Sequence, residues 1–232
     1  MRAIRKRTEP RTVTETRCSA TTNLTRTDTA RTAFDQIDKA EAREQLAEEQ
    51  GWLCAFCMRR IDPKAVDERG QATMKIAHRV PIHMDPSRAL DWTNHFGSCD
   101  GGERSGGLYC TCDLRQRNTA LTVDPANASS VARLRLERRG KERGLFLNSD
   151  DLALAIDVEE TLGLNKGGLP ELRESTWKAF LEAVKRAHPS NHWTRETRIS
   201  FFEKWRFEGN KLRQLVGVVE RKLVQTGSPG GG

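Results

Sequence analysis

The chain has 232 residues, 36% of them hydrophobic and 31% charged, with a formal charge of +7 and a pI near 9.3. That length allows one domain of moderate size, or a small core with helical additions, and the low apolar share predicts segments that stay extended or bind a partner. The basic balance suits a polyanion. No run approaches the ~18 apolar residues of a membrane span, so a soluble protein with no membrane partner is expected.

Residues 1–32 are rich in Arg, Thr and Glu and poor in large apolar side chains, which predicts an extended basic arm. From about Thr32 to Gly51 the residues Phe34, Ile37, Ala40, Ala42, Leu46 and Ala47 recur at helical spacing, and Gly51 is a natural stop. Trp52 to Cys57 reads as a strand entering a tight turn of the zinc-knuckle kind. Met74 to Ile82 reads as a short strand ended by Pro81, with Leu90 to Asn94 as the next. A Gly-rich loop holding Gly101-Gly102 and Gly106-Gly107 leads to a short helix from about Cys112 to Leu121.

Val131 to Leu147 reads as a hairpin with a basic tip at Arg138-Arg139-Gly140-Lys141. Asp150 or Asp151 caps the next helix, which Gly167-Gly168-Leu169-Pro170 breaks. Longer helical stretches follow from about Glu171 to His188 and from about Ser200 to Val224. The expected organisation is therefore an arm (1–32), a core (33–125), a hairpin and helical extension (126–226) and a disordered Gly-rich tail (227–232). The apolar faces at 171–224 exceed what a small core can cover. They predict a partner interface, whose loss on deletion after about residue 195 should spare the metal site.

The six cysteines are Cys18, Cys54, Cys57, Cys99, Cys110 and Cys112, and all but Cys18 crowd one stretch. With no apolar leader, a cytoplasmic chain is expected, in which close cysteines ligate metal rather than pair as disulfides. Cys54, Cys57, Cys99 and one of Cys110 or Cys112 are the candidate zinc ligands. Four thiolates on zinc would staple a unit too small to make a firm core.

The same stretch holds the parts that phosphodiester hydrolysis needs. His78, three residues before Pro81, is the candidate base, since an imidazole titrates near neutral pH. Asn94 is the candidate residue to orient the loop and the histidine. Asp113, directly after the last cysteine, offers oxygen to a catalytic divalent cation.

These residues resemble the HNH endonucleases, and more narrowly the PtuB-type HNH proteins of Septu and retron anti-phage defence systems. The resemblance rests on Glu49 to Cys57, Ile76 to Pro81, Ala89 to Asn94, Ser98 to Gly102 and Cys112-Asp113, with weaker echoes at Glu9-Pro10 and Leu162 to Asn165. It implies an α+β fold with a zinc-stapled ββα-metal core. It implies structural Zn2+ on Cys54, Cys57, Cys99 and Cys112, the last because Asp113 follows it. A catalytic Mg2+ or Mn2+ would sit at His78, Asp113 and Asn118. The implied partners are nucleic acid and a PtuA-type ATPase and, in a retron setting, a reverse transcriptase with its ncDNA. Two positions depart from the family. Ala77 stands where an acidic residue precedes the histidine, with His83 and Asp100 as substitute ligands. The lysine expected after the last cysteine is out of register, leaving Arg115 and Arg117, with Arg79, as phosphate contacts.

Two other classes stand beside the nuclease. One is a zinc-stabilised nucleic-acid or protein-binding module, which Ala77 favours. The other is a thiol oxidoreductase using Cys54 and Cys57.

Overall fold

Apolar residues come in short bursts between charges and turn formers, and the elements they make are short. In the computed structural model, which describes residues 1–19, 23–102, 109–189 and 193–225, they build an α+β fold. Among the described residues there are three two-stranded antiparallel sheets and nine α-helices.

The start of the chain is not an extended arm. Met1, Ile4 and Val13 are buried, and Arg11–Cys18 forms helix α1. The Ile4 N–H donates to the Pro125 carbonyl at 2.8 Å. Apolar residues are few here, but these three face inward, which composition averages away. In place of one helix from Thr32 to Gly51 there are two, α2 (Thr27–Gln36) and α3 (Lys39–Glu49). Extended backbone at Ile37 separates them, and the Asp38 carboxylate caps α3 by accepting from the N–H groups of Ala40 (2.8 Å) and Glu41 (3.2 Å).

Strand β1 (Lys75–His78) pairs antiparallel with β2 (His95–Ser98), with His78 opposite His95 and Ala77 opposite Phe96. The second strand thus begins after Asn94, not at Leu90. The Asp91 carboxylate accepts from the Thr93 N–H at 2.9 Å and winds Trp92–Asn94 into a single 3-10 turn. Gly97 leaves room for a neighbouring side chain: a Cβ there would lie 2.4 Å from Met74 Cε. The open edge lets the buried Gln50 amide pair with the Gly97 backbone on both sides, at 2.7 and 2.8 Å. Helix α4 (Cys112–Gln116) follows and stops short of Leu121, because Arg117 turns to a left-handed φ of 49°.

The hairpin expected at Val131–Leu147 is present as β3 (Leu134–Glu137) and β4 (Phe146–Ser149), preceded by α5 (Ala128–Ala132). Asp151 caps α6 (Leu152–Ile156), which runs on into a π-helical turn over Asp157–Thr161. The Gly-Gly-Leu-Pro run starts α7 (Leu169–Ala187) as well as ending the previous element, since Gly168 takes φ 75° and Pro170 fits the first turn. The last expected helix is split into α8 (Arg195–Trp205) and α9 (Val216–Gln225), with a small hairpin of β5 (Phe207–Glu208) and β6 (Lys211–Leu212) between.

The helical part folds back onto the core. Helix α9 packs on α7, α8 and β3, and Phe180, Val184, Phe202, Leu215, Val219 and Leu223 join the same core as Met1, Leu46, Phe56 and Phe96. The Leu215 N–H donates to the Met58 carbonyl at 3.0 Å, and a Cβ on Gly217 would lie 2.6 Å from Met58 Sδ. Residues 227–232 and Gly106-Gly107 lie outside the described residues. No described helix is long and apolar enough to cross a membrane.

Candidate metal centre and adjoining cleft

The Cys-x-x-Cys turn is closed by its own backbone. The Cys54 N–H donates to the Arg59 carbonyl at 2.8 Å, the Met58 N–H donates back to the Cys54 carbonyl at 3.0 Å, and Leu53 bridges Arg60. Met58 takes a left-handed φ of 63° to complete the turn, so both sulfurs point inward. Cys99 follows β2 directly, and Cys112 opens α4 with its N–H on the Leu162 carbonyl at 2.8 Å. All four side chains are buried, and their sulfurs lie within 4.8 Å of one another. Cys54 and Cys112 are 3.8 Å apart, and Cys57 and Cys99 are 3.7 Å apart. Four thiolates at a Zn–S distance of ~2.3 Å in a tetrahedron lie about 3.8 Å from each other. The group can therefore hold a metal ion such as zinc. Cys112, not Cys110, completes it, and Cys18 is exposed on α1.

A cation supports this group from outside. Arg59 directs Nε to Cys57 Sγ (3.4 Å) and Nη2 to Cys99 Sγ (3.5 Å) and Thr111 Oγ1 (3.2 Å). A guanidinium beside thiolates offsets their charge and fixes their orientation. Its place two residues after Cys57 was its only mark in the sequence.

On the other side of the hairpin the Asn94 amide clamps a loop. Its Oδ1 accepts from the Val80 N–H at 2.8 Å, and its Nδ2 donates to the carbonyls of Val80 (2.9 Å) and Arg88 (3.2 Å). The loop so closed turns the Ala89 carbonyl toward two imidazoles: His78 Nε2 lies 3.2 Å from it and His95 Nε2 2.8 Å. A carbonyl only accepts, so each Nε2 carries the proton and the Nδ1 of His78 keeps its lone pair. Burial, with Lys39 and Arg31 adding their charge, pushes the His78 pKa down to about 4 against the pull of the Ala89 carbonyl. Burial and the neighbouring His78 push His95 well below the usual histidine range. His95 and the edge of Phe34, 4.6 Å from the His78 ring, escaped the sequence reading. The one signal for His95 was a histidine directly after Asn94.

His78, Asp113, Arg117 and Asn118 meet in a cleft of about 270 Å³, with His83 on its rim. Burial raises the Asp113 carboxyl to about 6, with the Lys75 charge opposing. Asn94 stays behind the cleft, fully buried. No family model matches the chain, and no curated protein matches it significantly.

Two of the predicted phosphate contacts have other work. Arg79 donates to the Leu121 carbonyl at 2.8 Å and pairs with Asp124 at 3.7 Å. Arg115 donates to the Glu160 carbonyl at 2.6 Å and pairs with its carboxylate at 3.7 Å. Ala77 is fully buried on the core side of β1, since neighbouring strand residues face opposite ways. A carboxylate there would enter the core, not the cleft. Among the described residues the four cysteines are the only group of three or more His, Cys, Asp or Glu side chains close enough to ligate one ion. His78 and Asp113 share the cleft without forming a second ligand cage.

Proposed function

We propose that this chain is an HNH-type endonuclease that hydrolyses phosphodiester bonds of nucleic acid, with β1, the clamped loop, β2 and α4 as its ββα-metal core. One observation carries the reading: the His78 imidazole is held by its Nε2–H on the carbonyl of a loop that Asn94 closes, at a cleft shared with Asp113. A neutral imidazole so held presents Nδ1 as the base. It takes the proton of a water as the water oxygen bonds to phosphorus; the P–O bond to the leaving oxygen breaks, and that oxygen takes a proton from solvent. Zn2+ on Cys54, Cys57, Cys99 and Cys112 supplies structural support. The reading requires Mg2+ or Mn2+ for activity, with Asp113 and Asn118 as the residues that would hold it, because the one free lone pair of His78 serves as the base. That donor set does not close into a cage by itself.

Resemblance to the PtuB-type proteins extends the reading to an effector subunit of a cytoplasmic anti-phage complex with a PtuA-type ATPase and, in a retron, a reverse transcriptase and ncDNA. The test offers plasmid, single-stranded DNA and tRNA to the purified protein with Mg2+ or Mn2+, alone and with the ATPase, beside His78→Ala. Cleavage that disappears in the variant supports the nuclease. The lack of a closed ligand cage around His78 and Asp113 favours a second reading, a zinc-stabilised binding subunit of such a complex. No cleavage by zinc-loaded protein in any arm would select it.

A further inference from the structure

The cleft over His78 has a wall from outside the motif region. Helix α2 docks there through Ala30, which packs with Ile82 and Ala89 in a small apolar cluster separate from the main core, flanked by Leu24 and Phe34. Arg31, the next residue, is exposed and lines the cleft, as does the exposed Arg117 at the end of α4. The two guanidiniums differ from the other arginines of this region. Arg59, Arg79 and Arg115 all donate to internal acceptors. Among the described residues neither the Arg31 nor the Arg117 side chain has a hydrogen-bond or ion-pair partner. Asp35 and Asp113 also line the cleft, yet neither pairs with either arginine. Exposed guanidiniums normally cover their charge with solvent or a nearby carboxylate, whereas a pair of open planar forks on one cleft suits a phosphate diester.

We infer that Arg31 and Arg117 form a seat for a single phosphodiester of a nucleic-acid strand above His78, with Arg31 as the contributor from α2. The identity of the ligand rests on the nuclease reading. The seat itself rests on the two uncommitted arginines. Such contacts position a strand without reading its bases, so the seat is indifferent to sequence.

The test is binding of a fluorescently labelled single-stranded oligonucleotide of mixed sequence to the zinc-loaded full chain, without Mg2+ or Mn2+, by anisotropy over a salt series. Arg31→Gln and Arg117→Gln are each expected to weaken binding about tenfold, as loss of a charge-assisted hydrogen bond does, and to flatten the salt slope. The double variant should lose less than the product of the single losses, because both side chains hold one phosphate. Arg69→Gln, at an exposed arginine that does not line the cleft, serves as control. Equal affinities for Arg31→Gln and Arg69→Gln would overturn the seat, and fully multiplicative losses would overturn the shared phosphate. Cleavage by wild type with Arg31 immaterial sinks the seat alone. Arg31-dependent binding with no cleavage of plasmid, single-stranded DNA or tRNA in Mg2+ or Mn2+ sinks the hydrolase alone, and the absence of both binding and cleavage sinks both.

Discussion

His78 and His95 stand opposite each other in the β1–β2 register with ring centroids 4.6 Å apart and planes at 86°, and both present Nε2 to the Ala89 carbonyl. One oxygen with two lone pairs thus serves two imidazoles. The tautomer of each ring is fixed by the same loop, so the loop's stability and the state of His78 are linked.

That linkage has a sign. The folded His78 titrates near 4, below its unfolded value near ~6.5, so the unfolded chain takes up the proton first as the solution is acidified. Stability should fall from about pH 6.5 to about pH 4, by on the order of 2–3 kcal/mol for His78, with His95 adding in the same direction. Asp113 acts oppositely. Its carboxyl is raised to about 6, so its contribution falls as pH rises from about 4 to about 6. Denaturant titrations of wild type and His78→Phe across pH 4–7 measure the difference. A variant with an unchanged acid slope would count against this assignment.

Asn94 makes its three contacts with both ends of its amide. Asn94→Ala should cost about 2–4 kcal/mol, since buried backbone groups of Val80 and Arg88 lose their partners. Asn94→Asp should cost at least as much, because a carboxylate cannot donate to the two carbonyls. Urea midpoints decide this; a mild Asp variant would mean that the donating end does little.

Lys6 and Glu49 form an ion pair at 2.8 Å whose side chains are 10% and 0% exposed. Lys6 also donates to the His95 carbonyl at 3.0 Å and lies over the Trp92 ring at 4.2 Å, while Trp92 Nε1 donates to Glu49 at 2.9 Å. Removing one partner of such a pair leaves a buried charge, at a cost of about 3–5 kcal/mol. Lys6→Met and Glu49→Gln should each lower the melting temperature sharply, and the double variant should recover part of the loss. Calorimetry on the three proteins checks the cycle, and a fully additive double variant would argue against a coupled pair.

Metal content separates the neighbouring cysteines. Cys112→Ser should lose the bound zinc and much of the fold, whereas Cys110→Ser should keep both, because only Cys112 reaches the other three sulfurs. Zinc per chain by elemental analysis, with circular dichroism on the same samples, gives the answer. Retention of zinc by Cys112→Ser would move the fourth ligand to Cys110.

Removing the chain after residue 195 should no longer be expected to spare the metal. Leu215 and Gly217 pack on Met58, the residue after Cys57, and Arg60 donates to the Leu212 carbonyl at 2.8 Å. The truncated protein should bind zinc weakly and unfold at lower denaturant. A truncation with wild-type zinc affinity would show that the knuckle holds without this support.

The parts of the fold that local chemistry determines were readable in advance. The Cys-x-x-Cys turn, the alternation from Leu134 to Leu136 and the Asp151 cap each depend on a few neighbouring residues. What escaped were relations over long stretches of chain. Nothing around Met1 or Ile4 announces that they meet Pro125 and Arg221, and nothing near Ser200 tells that the segment to Val224 is two helices folded onto the knuckle. The site divides likewise: His78, Asn94 and Asp113 were marked by their spacing, while Arg31 enters only because α2 docks on Ile82 and Ala89. The start of β2 depends on one carboxylate, that of Asp91, which winds the preceding residues into a turn.

The two ends of the described chain are interlaced. Arg2 pairs with Glu220 at 3.3 Å, and Arg221 donates to the Met1 and Val131 carbonyls, both at 3.2 Å. Contacts spanning nearly the whole sequence cannot form until the last helix has left the ribosome, however early the knuckle and hairpin are made. High contact order of this kind slows folding and leaves apolar surface open in the meantime. During synthesis the cysteine turn is thus exposed without Leu215 and Gly217 against it, and metal captured then would sit on an unfinished frame.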